Sequence, residues 1–70
     1  MSNGSKIGNF SHISTGVISN GETSIGNNTF IGSGSILNQG IKIRGNVVIG
    51  SGSTVIADLN QIGTFTGIIK

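Results

Sequence analysis

Acid–base chemistry near neutral pH has one candidate in this sequence. It is His12, because imidazole is the only side chain whose ordinary protonation change falls in that range, and no second His is present. Glu22 and Asp58 are the only carboxylates, 36 residues apart. The cations are Lys6, Lys42, Arg44 and Lys70, for a formal net charge of +2. There is no Cys, which excludes disulfides and thiolate metal ligands. A single His falls short of the three or four protein ligands that zinc takes, so no metal is expected. Nucleic-acid binding calls for clustered Lys and Arg interleaved with aromatics. Here charged residues make up 9% and aromatics 4% of the chain, and no nucleic-acid partner is expected.

What holds these few groups in place is a repeat. The stretch IGSGS occurs at 31–35 and again at 49–53, 18 residues on. Stepping by six from Ile7 visits Ile13, Ser19, Ile25, Ile31, Leu37, Ile43, Ile49 and Val55, eight of nine aliphatic. Stepping by six from Ser11 visits Val17, Thr23, Thr29, Ser35, Ile41, Val47, Ser53 and Leu59, which are small or mostly β-branched. The residue after each aliphatic is mostly Gly, Asn or Ser, as at Gly8, Ser14, Asn20, Gly26, Gly32, Asn38 and Gly50. No segment shows the 3.6-residue spacing of an amphipathic helix. The pattern is that of a short strand and a tight corner every six residues, with Gly and Asn supplying the positive φ that such corners need. Three units close one triangular coil of 18 residues, and about three coils fit between Lys6 and Asn60.

Like then stacks on like. Ile7, Ile25 and Ile43 form one internal column; Ile13, Ile31 and Ile49 a second; Ser19, Leu37 and Val55 a third. The residue before each aliphatic points outward, because strand neighbours alternate. One face shows His12, Phe30 and Val48, another Ile18, Ile36 and Thr54, and the third Ser24, Lys42 and Asn60. Two outward apolar faces mark an interface, and a three-sided prism with two different sticky faces closes naturally as a homotrimer. Partner subunits also fit the length, since a 70-residue monomer buries only about 60% of its unfolded surface. Glu22 and Asp58 would lie two coils apart at a similar point of the coil, about 10 Å from each other. That separation reads as solvated corner charges rather than a cooperating pair.

The six-residue pattern resembles the hexapeptide-repeat, left-handed β-helix acyltransferases. Within them it is closest to the sugar O- and N-acetyltransferases of the sialic-acid O-acetyltransferase and bacillosamine N-acetyltransferase type. The residues that carry the resemblance are IGNFSHIS (7–14), SNGETSIGNNTFIGSGS (19–35), IKIRGNVVIGSGSTVI (41–56) and GTFTGIIK (63–70). It implies an all-β, single-stranded left-handed parallel β-helix, homotrimeric, that binds acetyl-CoA as acyl donor between subunits. By resemblance His12 is the catalytic candidate, contacting the thioester carbonyl or holding the acetyl group. Gly21, Ser33, Ser51 and Gly52 would line the path of the pantetheine arm, with small corner residues leaving room for it. Lys42 and Arg44, which flank Ile43, would either meet the cofactor's phosphates or blunt an exposed edge.

The sequence also departs from that pattern. Family enzymes carry a general-base His and an acidic residue where this chain has Asn3 and Gly4, and Asn is no base near neutral pH. The usual Gly-x-Pro-Ala-Lys ending is replaced by Gly67-Ile68-Ile69-Lys70. The resemblance implies a possible nucleotide-sugar acceptor, whose binding domain precedes the coils to which this chain is similar. The expected organisation is a lead-in over 1–6, β-helix coils over 7–60 and a closing segment over 61–70. The chain is similar to the last three coils of such an enzyme. One reading is a truncated acetyltransferase-like protein that keeps acetyl-CoA binding; the alternative is a non-catalytic trimeric structural or oligomerisation module. No apolar run approaches the roughly 20 residues of a membrane span. The start, MSNGSKIGNF, lacks the apolar core of a secretion signal. A cytoplasmic protein without a membrane partner is the expectation.

Overall fold

The computed structural model describes residues 6–70, so the Asn3–Gly4 substitution of the base lies outside the described residues. The chain winds as a β-solenoid of about four coils, with no helix among the described residues. No helix is therefore long and apolar enough to cross a membrane. The first coil holds β1 (Lys6–Ile7), β2 (His12–Ile13) and β3 (Ile18–Ser19). The second holds β4 (Ser24–Ile25), β5 (Phe30–Ile31) and β6 (Ile36–Leu37). The third holds β7 (Lys42–Ile43), β8 (Val47–Ile49) and β9 (Thr54–Val55), and the last holds β10 (Gly63–Phe65) and β11 (Ile68–Ile69). Every pairing is parallel, and the strands sort into three sheets. The first sheet is β1-β4-β7, the second β2-β5-β8-β10 and the third β3-β6-β9-β11.

Register follows the repeat through three coils. Ile7 faces Ile25, Ile13 faces Ile31 and Ser19 faces Leu37; Ile25, Ile31 and Leu37 face Ile43, Ile49 and Val55 in turn. Ile31, Leu37, Ile49 and Val55 are fully buried, with Ile25 and Ile43 nearly so. The second six-step column also points inward. Thr23, Thr29, Ser35, Val47 and Ser53 are buried, so an inward residue lies on either side of each outward one. Their hydroxyls answer the carbonyls of the corners. Ser11 Oγ donates to the Gly26 carbonyl at 2.6 Å, Thr29 Oγ1 to that of Arg44 at 3.0 Å and Ser35 Oγ to that of Gly50 at 3.1 Å. Each bond spans 15 residues and ties a coil to the next corner. No buried side-chain N or O lacks a partner among the described residues, as a polar group inside a core requires.

The fourth coil is where the expectation of about three coils falls short. The segment over 61–70 does not merely close the stack but adds strands to it. Its corners are shorter, so the offset falls from 18 to 16 and then to 14 residues. Leu59 bridges Ile43, Phe65 faces Ile49 and Ile69 faces Val55. These three continue the internal columns, and Leu59 and Ile69 are buried. The shortening also corrects the outward residue of the first sheet. It is Asp58 rather than Asn60 that stands in line with Lys6, Ser24 and Lys42. Asp58 is thereby two residues away from the corner column of Glu22, so the two carboxylates do not share a point of the coil. The Asp58 carboxylate instead accepts a hydrogen bond from the Lys42 N–H at 2.9 Å.

Candidate ligand-binding site on the second sheet and its corner

His12 and Phe30 are cross-strand neighbours on the outer side of the second sheet. Their rings stack with centroids 5.3 Å apart and planes inclined by 7°, an offset parallel arrangement favoured by aromatic quadrupoles. Val48 and Thr64 continue the column in register. His12 is exposed and Phe30 is 43% exposed. Among the described residues no carboxylate or carbonyl orients the imidazole. A general base is normally held by such a third group, so in this subunit His12 is not held as an oriented base.

The corner after the second sheet stacks Thr15-Gly16, Ser33-Gly34 and Ser51-Gly52. Gly34 and Gly52 hold φ of 73° and 71°, and a Cβ at either would meet nothing within 4 Å. The ridge is therefore narrow and open to solvent. Its N–H groups are partly used between coils: Gly34 N–H donates to the Thr15 carbonyl at 3.0 Å and Gly52 N–H to that of Ser33 at 2.8 Å. The hydroxyls of the exposed Ser33 and Ser51 are what this corner offers a ligand. The residue before each Ser is small for a different reason. A Cβ at Gly32 would sit 2.5 Å from the Ser51 nitrogen, so the next coil leaves no room for a side chain there.

The structure thus brings His12, Ser33, Ser51 and Gly52 together on one sheet and the corner that follows it. Gly21 is elsewhere. It lies on the corner after the third sheet, where its carbonyl accepts from Thr23 Oγ1 at 3.0 Å and from Gly40 N–H at 3.4 Å. The whole third sheet separates it from the Ser column. Thr15, one coil before Ser33, belongs to the same column, and an 18-residue step back along the chain finds it. Lys42 is exposed on the first sheet, while Arg44 turns the next corner and directs Nη1 to the Asn60 carbonyl at 3.4 Å. No group of three or more metal-binding side chains occurs among the described residues.

A three-sided parallel solenoid with a six-residue rung and open, small-residue corners defines a hexapeptide-repeat β-helix protein. Residues 22–57, which are 36 of the chain's 70, match the bacterial transferase hexapeptide family in its six-repeat form, and the chain belongs to that family. The matched span is six rungs of six residues, the second and third coils. No curated protein and no solved structure matches the chain.

Proposed function

We propose that this protein is a homotrimer that binds acetyl-CoA between subunits, an acetyltransferase-like protein of the sugar O- and N-acetyltransferase type. The observation that carries this reading is the pair of adjacent apolar faces on a hexapeptide-repeat solenoid. A trimer can cover both faces. Gly21 and the Ser33–Ser51 column stand on different corners, so an arm lying along one corner of one chain meets only one of the two sets. Ile18 and Ile68, 52% and 69% exposed on the third sheet, and Phe30 on the second are the surfaces that such packing would cover.

The residues present fit the thin arm of the cofactor. The ridge at Ser33 and Ser51 is narrow, exposed and uncharged, and its hydroxyls can donate to or accept from the arm's amides. When bound, acetyl-CoA supplies an acyl group activated as a thioester. His12, exposed on the same sheet, would contact the thioester carbonyl. The proposal is for binding: His12 has no orienting partner in its own subunit, and transfer to a sugar amine or hydroxyl needs a positioned base. One observation favours a purely structural trimeric module instead, namely that the corner N–H groups of Gly34 and Gly52 are already used between coils.

Titration calorimetry with acetyl-CoA separates the two. Saturable binding near one ligand per subunit, weakened about fivefold by His12→Ala through loss of one hydrogen bond, is the expected result. No heat at millimolar ligand leaves the structural module.

A further inference from the structure

The third corner column, between the first and second sheets, has no part in the acetyl-CoA reading. In successive coils it holds Asn9-Phe10, Asn27-Asn28 and Gly45-Asn46. Phe10, Asn28 and Asn46 occupy the same position of the turn, with φ of 60°, 56° and 61°. Asn tolerates this left-handed backbone, and the turn alone accounts for Asn28 and Asn46. It does not account for Phe10. A bulky residue there is an outlier, and the ring is 90% exposed, so no packing among the described residues offsets the strain. Strain kept without internal compensation points to a role toward something outside.

From this corner we infer a binding site for a neutral glycan. The exposed Phe ring offers a flat apolar platform. Below it the exposed carboxamides of Asn27, Asn28 and Asn46 form a ladder that each coil extends by about 4.8 Å. A carboxamide both donates and accepts, as a sugar hydroxyl does. The Asn27 Oδ1 already accepts from the Asn9 N–H at 2.7 Å, which leaves its NH₂ as the group offered outward. The first two coils place no charged residue at this corner, so recognition there rests on hydroxyl–carboxamide bonding rather than on charge. In the fourth coil the same corner ends in a recess of about 240 Å³ lined by Asn60 and Gln61, by the charged Asp58 and Lys70, and by the apolar Leu59 and Phe65. From Phe10 to this recess is three coil-to-coil steps, roughly 15 Å, enough for a short oligosaccharide lying along the solenoid axis with one ring face on Phe10.

The test is saturation-transfer NMR on the full chain with chitotriose, cellotriose and maltotriose as probes. Transfer to the ring protons of at least one trisaccharide is expected. Phe10→Asn suits the corner backbone and should fold at least as well as the parent, so its loss of affinity, about tenfold for a lost ring stack, reports the platform and not unfolding. Asn28→Gly keeps the corner conformation, removes one carboxamide and should weaken binding about fivefold. Absence of transfer from all three sugars at millimolar concentration overturns the proposal, as does equal affinity of the parent and Phe10→Asn. A fall in sedimenting mass of Phe10→Asn would assign the ring to a contact between copies and overturn it too. Acetyl-CoA binding in the same variant should be unchanged, so the two readings fail separately.

Discussion

His12 and Phe30 face each other across adjacent coils with their rings 5.3 Å apart and nearly parallel. Phe30 therefore fixes where the only imidazole of the chain stands. An aromatic pair of this kind contributes about 1 kcal/mol beyond its buried area. Phe30→Leu keeps an apolar residue on the strand and removes the ring. We expect the His12 ring protons to lose their ring-current shift in a proton NMR spectrum. Unchanged His12 resonances would mean that the stack does not form in solution.

Phe10 carries backbone strain that its stacked equivalents Asn28 and Asn46 avoid. Relief of a left-handed backbone at an ordinary side chain is worth about 1 kcal/mol. Phe10→Asn should raise the midpoint of urea unfolding at fixed protein concentration, with an unchanged slope. A lower midpoint would show that the ring packs against something in the folded protein.

Gly32 and Gly34 sit two residues apart in one corner and are glycines for different reasons. A Cβ at Gly32 would strike the backbone of the next coil at 2.5 Å, whereas one at Gly34 meets open space but must adopt φ of 73°. Overpacking against backbone costs about 3 kcal/mol, and the turn conformation about 1 kcal/mol. Gly32→Ala should therefore destabilise more than Gly34→Ala, as measured by denaturant titration. Equal or reversed costs would contradict the tight coil contact.

Asp58 anchors the fourth coil through the Lys42 N–H, at 2.9 Å. Loss of an exposed hydrogen bond to a carboxylate costs about 1 kcal/mol. Asp58→Ala should speed hydrogen exchange at Lys42, and Asp58→Asn, which keeps an acceptor, should largely restore protection. Equal exchange in all three proteins would remove the anchor from the account.

The coils were legible because a solenoid places each residue on its own counterpart 18 positions later. Columns such as Ile13, Ile31 and Ile49 can be read without knowing any dihedral angle. The fourth coil was hidden by its shorter corners. A six-residue step from Val55 reaches Gln61 and Gly67, while the residues that continue the core are Leu59, Phe65 and Ile69. The same shift moved Asp58 onto the first sheet in place of Asn60. Of the candidate site, the stacking of Ser33 and Ser51 one coil apart follows from the period. The separation of Gly21 onto another corner follows from counting sheets between positions, which the resemblance alone did not do. The strain at Phe10 left no trace in the sequence, since a strand–corner pattern gives the place of a turn residue but not its φ.

The central claim is that two apolar faces are covered by copies of the same chain, between which the proposed cofactor site would lie. Sedimentation equilibrium at micromolar concentration measures this most directly. Three times the 7.1 kDa of one chain is expected, falling toward a single chain when Ile18 and Ile36 are both replaced by Asp. A mass of one chain for the unmodified protein would contradict it.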